Sequence, residues 1–267
     1  MFDNLPESAT CAIVTGGATG IGFAISKALS RRGVKVGLAD ITKARAQGAA
    51  DRLTAEGASV LGLGCDVRDA GDIERALDEL EQAFGTPTVL VANAGVYPNE
   101  SFLTLSESEW DRVLDTNLKG VFLVGQAVAR RMVHADCRGA IVNVSSGAAT
   151  NSLPGWSHYA ASKAGVSALT RGMALELAEF GIRVNTVVPG YIDVEEGGAH
   201  LAETYKLKMR DSVPLGRPGT RDDVANAVLF LISPMADYIT GTSLVVDGGS
   251  SVGRAGLIPT GESQPSH

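Results

Sequence analysis

The 267-residue sequence predicts an α/β protein built on a doubly wound parallel sheet with helices on both faces. Three observations point that way. Short apolar runs alternate with helix-length amphipathic stretches along nearly the whole chain. The central runs are continuously apolar, as strands are when helices cover both faces of their sheet. Glycine is frequent, at 32 residues, and closes many of the segments, so the connections are short. Parallel strands joined in this way take right-handed crossovers. An antiparallel sandwich finds little support. An eightfold barrel competes better, but the strand count falls one short and the helices differ in length.

The elements follow in order. Residues 11–15 (CAIVT) are a first strand that breaks into GGATGIG at 16–22, and 23–33 carry apolar residues at helical spacing up to Gly33. A second strand over 34–40 ends at Asp40, and a helix over 43–57 is closed by Gly57. A third strand at 59–66 and helix at 70–84 lead to a fourth strand at 88–95 that runs into glycine. Residues 106–116 and 118–134 read as helical, with Asn117 at their join. A fifth strand at 139–146 precedes a long helix over 158–180, and a sixth strand at 182–188 is stopped by Pro189 and Gly190. Residues 191–219 are irregular or loosely helical, 222–233 form a last helix and 242–249 a last strand. The reading is one domain over 1–249, with 191–213 as a substrate-loop segment and 250–267 as a Gly/Ser/Pro-rich extension.

Composition sets limits on function. Thirty acidic residues against 23 basic leave a net charge of −7, which argues against nucleic acid or an anionic membrane as partner. No apolar run reaches the length of a membrane span, and the N-terminus shows no basic region followed by an apolar one. Cys11, Cys65 and Cys137 are scattered, without a CxxC pair, so a reducing, cytoplasmic setting is expected. The four histidines show no ligand spacing, and no metal is expected. His158 adjoins Tyr159 and either lines a site or is exposed at a helix start.

The first chemical signal is TGGATGIG at 15–22, which follows a strand and opens a helix. That context suits a dinucleotide pyrophosphate at a helix N-terminus. Gly16 permits the tight turn, while Gly20 and Gly22 permit close approach of backbone and of helix to sheet. Asp40 ends the second strand, eighteen residues after Gly22. In a dinucleotide fold this position faces the adenosine ribose, and a carboxylate there repels a 2′-phosphate. Thr19 and Ile41 supply no positive charge to offset it, so NAD is expected over NADP; the alternative is a solvated strand end. Asp66 is expected at the adenine amino group, with Val67 packed on the ring. Asn93, Ala94 and Gly95 end the fourth strand with small groups beside a nicotinamide ribose, although Asn93 equally suits a bridge between strands.

The second signal is the stretch 146–163. Tyr159 and Lys163 are four residues apart, which places phenol and ammonium on one helix face, and Ser146 lies thirteen residues before the tyrosine. A cation beside the phenol favours the phenolate and lowers its pKa. A hydroxyl nearby suits a substrate oxygen. Together they outline an acid/base site for an alcohol or carbonyl. The same spacing also occurs in ordinary helices, as a packed Tyr with a solvated Lys.

From Thr15 to Gly249 the pattern resembles the short-chain dehydrogenase/reductase family, on TGGATGIG (15–22), Asp40, Asp66, NAG (93–95), Asn117, Ser146, YAASK (159–163) and PG (189–190). The resemblance implies a Rossmann-like domain with seven parallel strands and, in many members, a tetramer. It implies Tyr159 as acid/base, Lys163 as the cation that lowers the Tyr159 pKa and holds the nicotinamide ribose, Ser146 on the substrate oxygen, and Asn117 in a proton relay through its backbone and a local helix distortion. Ser145 is then a supporting residue. Thr15, Gly16, Thr19, Gly20, Ile21, Gly22, Asp40, Ile41, Asp66, Val67, Asn93, Ala94, Gly95, Tyr159, Lys163, Pro189, Gly190 and Ile192 are expected around NAD. The sequence departs from the family where Ala92 replaces a first Asn, where Val194 replaces a Thr on the nicotinamide carboxamide, and in the extension past residue 249.

The implied activity is NAD-dependent interconversion of a secondary alcohol and its ketone. Val96, Tyr97, Gly147, Ala148, Leu153, Trp156, Tyr191 and the 192–213 segment are expected to form a mainly apolar pocket, suited to a cyclic or hydrophobic substrate. Asn151, Ser152, Glu195 and Glu196 leave a sugar or polyol open, and Gly197-Gly198 suits either a lid or a surface loop. A 3-oxoacyl carrier-protein reductase is the competing enzyme, against which Asp40 speaks. A non-catalytic dinucleotide-binding protein would more naturally have lost Tyr159 or Lys163.

Overall fold

The structure, a computed structural model, describes residues 11–193 and 213–253. Seven parallel strands form one sheet: β1 (Cys11–Thr15), β2 (Lys35–Asp40), β3 (Val60–Gly64), β4 (Val89–Ala92), β5 (Gly139–Val144), β6 (Ile182–Pro189) and β7 (Ser243–Val246), in the order β3-β2-β1-β4-β5-β6-β7. The helices are α1 (Gly20–Ser30), α2 (Lys43–Thr54), α3 (Ala70–Phe84), α4 (Glu107–Leu114), α5 (Gly120–His134), α6 (Ser157–Leu177) and α7 (Arg221–Ile232). The expected doubly wound, Rossmann-like sheet is therefore what the chain forms.

Period-two alternation divides the strand side chains between two cores. Ala12, Val14, Val89, Val91, Ala140 and Val142 face α1 and α7, where Ile25, Leu29, Val228 and Leu229 are buried. Cys11, Ile13, Leu90 and Ile141 face α3 and α5, where Leu77, Leu80, Val128 and Met132 are buried. Burial of these apolar faces on both sides makes the central strands continuous hydrophobic runs. Cys11 and Cys65 belong to this interior, and burial pushes both thiols up to about 12. Cys137 is half-buried, and all three cysteines are unpaired.

Element ends shift where side chains compete for backbone groups. β4 ends at Ala92, not at 95, because the Asn93 and Ala94 amides donate to Thr15 Oγ1 at 3.0 and 3.1 Å. β7 ends at Val246, because Asp247 accepts from the Gly249 and Ser251 amides in a turn where Gly248 and Gly249 have positive φ. α7 begins one residue earlier than expected, since Thr220 and Asp223 form a reciprocal capping box. Strand order reverses direction between β1 and β4, and the crevice outside their carboxyl ends is where ligands bind in such sheets.

Candidate functional site

Three elements build the floor of that crevice. After β1 the chain turns at Gly16, with φ +61°, where a side chain would press on the Ala94 Cα at 3.0 Å. A Cβ at Gly22 would be driven into the Gly16 carbonyl oxygen, so helix α1 approaches the turn as closely as only glycine permits. Gly20, at φ +55°, has open space where its Cβ would stand. Thr19 precedes α1 without spending its side chain on a cap, and no acidic residue occupies the first turn. Free N-terminal amides, the helix dipole and an open cradle suit a pyrophosphate.

Some predicted cofactor residues hold the crevice together from behind. Asn93 Nδ2 donates to the carbonyls of Thr15 and Gly16 at 3.0 and 3.2 Å. Its side chain takes the bridging role left open by the sequence. The Thr15 hydroxyl is likewise taken by the amides after β4.

After β2 and β3 both predicted carboxylates carry an arginine that the sequence pattern does not reveal. Asp40 is buried, yet its Oδ1 accepts from Arg45 Nε and a terminal guanidinium nitrogen at 2.9 and 2.6 Å. Thr19 and Ile41 supply no charge to offset Asp40, as expected, but Arg45 in the first turn of α2 does, because i and i+5 meet across the strand-to-helix connection. Asp66 holds Arg68 by bonds of 2.9 and 2.6 Å to its two oxygens, and these hold the Asp66 carboxyl below its usual range. Val67 is buried, and a Cβ on Gly120 would press its methyl groups at 2.7 Å. Ile41 is exposed.

At the other end, Asn117 lies in a π-helical turn, Asp115–Lys119, between α4 and α5. This is the helix distortion expected at the join. Its side chain is fully buried; Oδ1 accepts from the Val96 amide and Nδ2 donates to the Val96 carbonyl, both at 2.8 Å. Nδ2 also donates to Ser162 Oγ at 3.2 Å. The Asn117 amide thus locks the loop after β4 in place. A Cβ on Gly95 would lie 3.2 Å from Asn117 Oδ1 and 3.5 Å from Lys163 Nζ, so these three positions converge.

Ser145 and Ser146 follow β5 and divide their work. Ser145 Oγ donates to the Lys163 carbonyl at 2.8 Å and accepts from Ser167, a supporting role on α6. Ser146 Oγ accepts from the Ala148 amide and lies beside the Tyr159 phenol, whose pKa it pulls down. Lys163 is buried, donates to the Val144 carbonyl at 2.9 Å, and stands 5.9 Å from the Tyr159 ring centroid. Burial brings Lys163 down to about 8. The expected lowering of Tyr159 is not what this arrangement produces. Burial raises the phenol pKa, against a downward pull from the Ser146 hydrogen bond, while the Lys163 ammonium is spent on a backbone carbonyl.

Trp156 and Tyr97 meet the Tyr159 ring edge-on, with centroids 5.3 and 6.5 Å away. Leu153 and Tyr97 are exposed at this mouth. Pro189 and Gly190 close β6, with a Cβ on Gly190 pressing Asp247 Cβ at 2.6 Å, and Ile192 pairs with Gly219 as an isolated bridge. His158 is not exposed: it is fully buried, with neither ring nitrogen hydrogen-bonded. Val194, Glu195, Glu196, Gly197, Gly198 and most of the 191–213 and 250–267 segments lie outside the described residues. Among the described residues, no three His, Cys, Asp or Glu side chains group as a metal site, and no helix is long and apolar enough to cross a membrane. Two clefts that share Arg138 and Gly181 lie at the opposite, amino-terminal ends of β5 and β6 and do not include Tyr159.

Comparison with known proteins bears on this arrangement. The family model described as enoyl-(acyl carrier protein) reductase matches residues 16–251. The chain is 40% identical to a (3R)-3-hydroxyacyl-CoA dehydrogenase from Canis lupus familiaris, over 89% of this chain and 95% of that protein. It is 39% identical to a 3-oxoacyl-[acyl-carrier-protein] reductase FabG from Staphylococcus aureus (89% and 96%). It is 38% identical to an L-rhamnose 1-dehydrogenase (NAD(P)(+)) from Azotobacter vinelandii (89% and 94%). A crystal structure of a short-chain type dehydrogenase/reductase from Mycobacterium marinum superposes with a TM-score of 0.85 at 34% identity, covering 94% of this chain and 97% of that one.

Proposed function

The chain belongs to the short-chain dehydrogenase/reductase family and is an oxidoreductase of that type, and on this premise we propose that it interconverts a secondary alcohol and its ketone with NAD. The observation that carries the reading is the Tyr159 phenol beside Ser146, with buried Lys163 5.9 Å from its ring, near the glycine turn at the switch point of the sheet. The nicotinamide cofactor, which members of this family use, supplies hydride exchange at the reacting carbon. Tyr159 exchanges the proton at the substrate oxygen, and Ser146 donates a hydrogen bond to that oxygen. Lys163 keeps a positive charge below the phenol and reaches the nicotinamide ribose, and the backbone of the Asn117 π-turn links Lys163 to solvent.

The open space at Gly20 and the uncapped start of α1 fit the pyrophosphate. Asp40 supports NAD, because one of its oxygens remains for ribose hydroxyls when Arg45 holds the other. Arg45 also brings a cation within reach of a 2′-phosphate, so the preference is graded rather than absolute.

The apolar mouth favours a cyclic or hydrophobic substrate. A second reading, a 3-hydroxyacyl or 3-oxoacyl thioester, is favoured by the names of two relatives. A sugar is favoured by a third. We further read residues 1–249 as one catalytic domain, working in a cytoplasmic homotetramer on a small molecule. The deciding experiment is a panel of secondary alcohols, acyl thioesters and sugars, with their ketones, assayed with NAD and NADP. Turnover of ring or alkyl alcohols with NAD supports the reading; turnover confined to thioesters with NADPH overturns it.

A further inference from the structure

The mouth of the site contains an aromatic arrangement that the acid/base chemistry does not require. Trp156 is the residue before the first turn of α6, three positions ahead of Tyr159, and its ring meets the Tyr159 ring edge-on at 5.3 Å and 82°. Tyr97 approaches the same ring at 6.5 Å and 72° from the loop after β4. A perpendicular contact directs ring-edge hydrogens at a π face, and rings on Trp156 and Tyr97 flanking Tyr159 leave its ring little room to swing about χ1.

Both outer rings stand on anchored backbone. Val96, directly before Tyr97, has its amide and carbonyl bonded by the Asn117 side chain. The two loops are then tied to each other: the Glu100 amide donates to the Gly155 carbonyl at 2.9 Å, and Asn99 Nδ2 donates to the Pro154 carbonyl at 3.2 Å. Gly155 turns the chain into α6 at φ +83°, and a Cβ there would strike Asn99 Nδ2 at 2.5 Å. Despite these ties Tyr97 is 40% exposed, whereas Trp156 is half-buried. One ring is thus packed as a support, and the other offers aromatic surface at the mouth.

We propose that Trp156 is a positioning residue that sets the direction of the Tyr159 phenol, and that Tyr97 is a specificity residue selecting ketones and alcohols with an aromatic or flat ring beside the reacting carbon. The assignment rests on Tyr159 as the acid/base. A flat ring gains contact with a rigid aromatic surface at low entropic cost, while a sugar or a short alkyl group gains little.

The test separates binding from turnover. Enzyme saturated with NAD is titrated calorimetrically with acetophenone and with butanone; neither ketone can react with the oxidised cofactor. Wild-type enzyme is expected to bind acetophenone at least about 10-fold more tightly than butanone, within the range apolar pockets discriminate. Tyr97→Leu should reduce that ratio to about 2-fold, mainly through weaker acetophenone binding, and Tyr97→Phe should keep it. An equal ratio in wild type and Tyr97→Leu, or no wild-type preference, overturns the assignment. For Trp156, reduction of butanone by NADH should lose about 10-fold in kcat in Trp156→Leu with KM steady, and recover in Trp156→Phe. An unchanged kcat in Trp156→Leu overturns the positioning role. Ring-selective binding without turnover by either cofactor defeats the acid/base reading and leaves Tyr97 standing; turnover with no ring preference does the reverse.

Discussion

The two ends of the crevice are built on different principles. At the reaction end, Asn117, Ser145 and Lys163 are buried and bonded to backbone that cannot move without breaking several hydrogen bonds. At the adenosine end, Asp40 and Asp66 are paired with arginines whose side chains are substantially exposed, 51% at Arg45 and 41% at Arg68. A buried polar network fixes direction, because an unmade bond inside the protein is costly. An ion pair whose cation is exposed is worth less and leaves the arginine free to move. Proton transfer needs the first property, and recognition of a ribose or a phosphate tolerates the second. Arg131 shows a third use of charge: it joins α5 to Glu74, Asp78 and Glu81 of α3.

Breaking the reaction end should have the largest effect. Tyr159→Phe removes the exchangeable proton and leaves the ring in its aromatic setting; kcat should fall by about 10³-fold while NAD affinity, read by calorimetry, stays within about 2-fold. Turnover near wild type would show that the acid/base lies elsewhere. Next is Asn117→Ala, which strands the Val96 amide and carbonyl. Denaturant unfolding should report a loss of about 2–3 kcal/mol, and an unchanged midpoint would mean that water replaces the side chain without cost.

Lys163 sharpens the contrast in the opposite direction. Its folded pKa, about 8, lies below the ordinary 10.5, so the buried charge opposes folding. Below about pH 8 both folded and unfolded chains hold the proton, and the cost is present in full. Between pH 8 and 10.5 the unfolded chain binds more protons, so stability rises with pH until the cost is gone. Lys163→Met should therefore stabilise the protein at pH 7 by about 1–2 kcal/mol, after allowance for the lost bond to Val144, while abolishing activity. Thermal melts across pH 7–11 test this; an advantage that does not shrink as pH rises would show that the charge is not its source.

The smallest effects belong to the adenosine end. Asp40→Ala should relax discrimination against NADP by about 10-fold, and Arg45→Met should tighten it by about 3-fold by leaving the carboxylate uncompensated. The ratio of kcat/KM for the two cofactors measures both. If Arg45→Met leaves the ratio unchanged, the guanidinium lies beyond reach of the 2′-phosphate position.

Much of the site was readable because its residues sit at element ends, which the periodicity of the chain marks. The glycine turn before α1, Asp40 at the end of β2 and Tyr159 with Lys163 one turn apart on α6 all follow from local spacing. Asn117 was visible as the join between two helical stretches, and the π-turn is what that join becomes. Arg45 and Arg68 were missed because nothing about a charged residue on an exposed helix turn or loop distinguishes it until the neighbouring strand end is in place. At His158 the sequence suits either a site or a surface position, and the fold buries it, since a helix start is exposed or covered according to what packs on it.

By itself the sequence determined the order of strands and helices, the glycine turn before α1 and the helix face shared by Tyr159 and Lys163. These are local matters of side-chain period, glycine freedom and i,i+4 spacing. Only the tertiary structure decided the hydrogen-bond partners: Asn117 on Val96, Ser145 under Lys163, Asn93 across the glycine turn, and the rings of Tyr97 and Trp156 against Tyr159. It also decided the titration of the site. Whether a lysine lowers a phenol depends on how much water each has lost and where the ammonium points, and neither is written in a spacing of four residues.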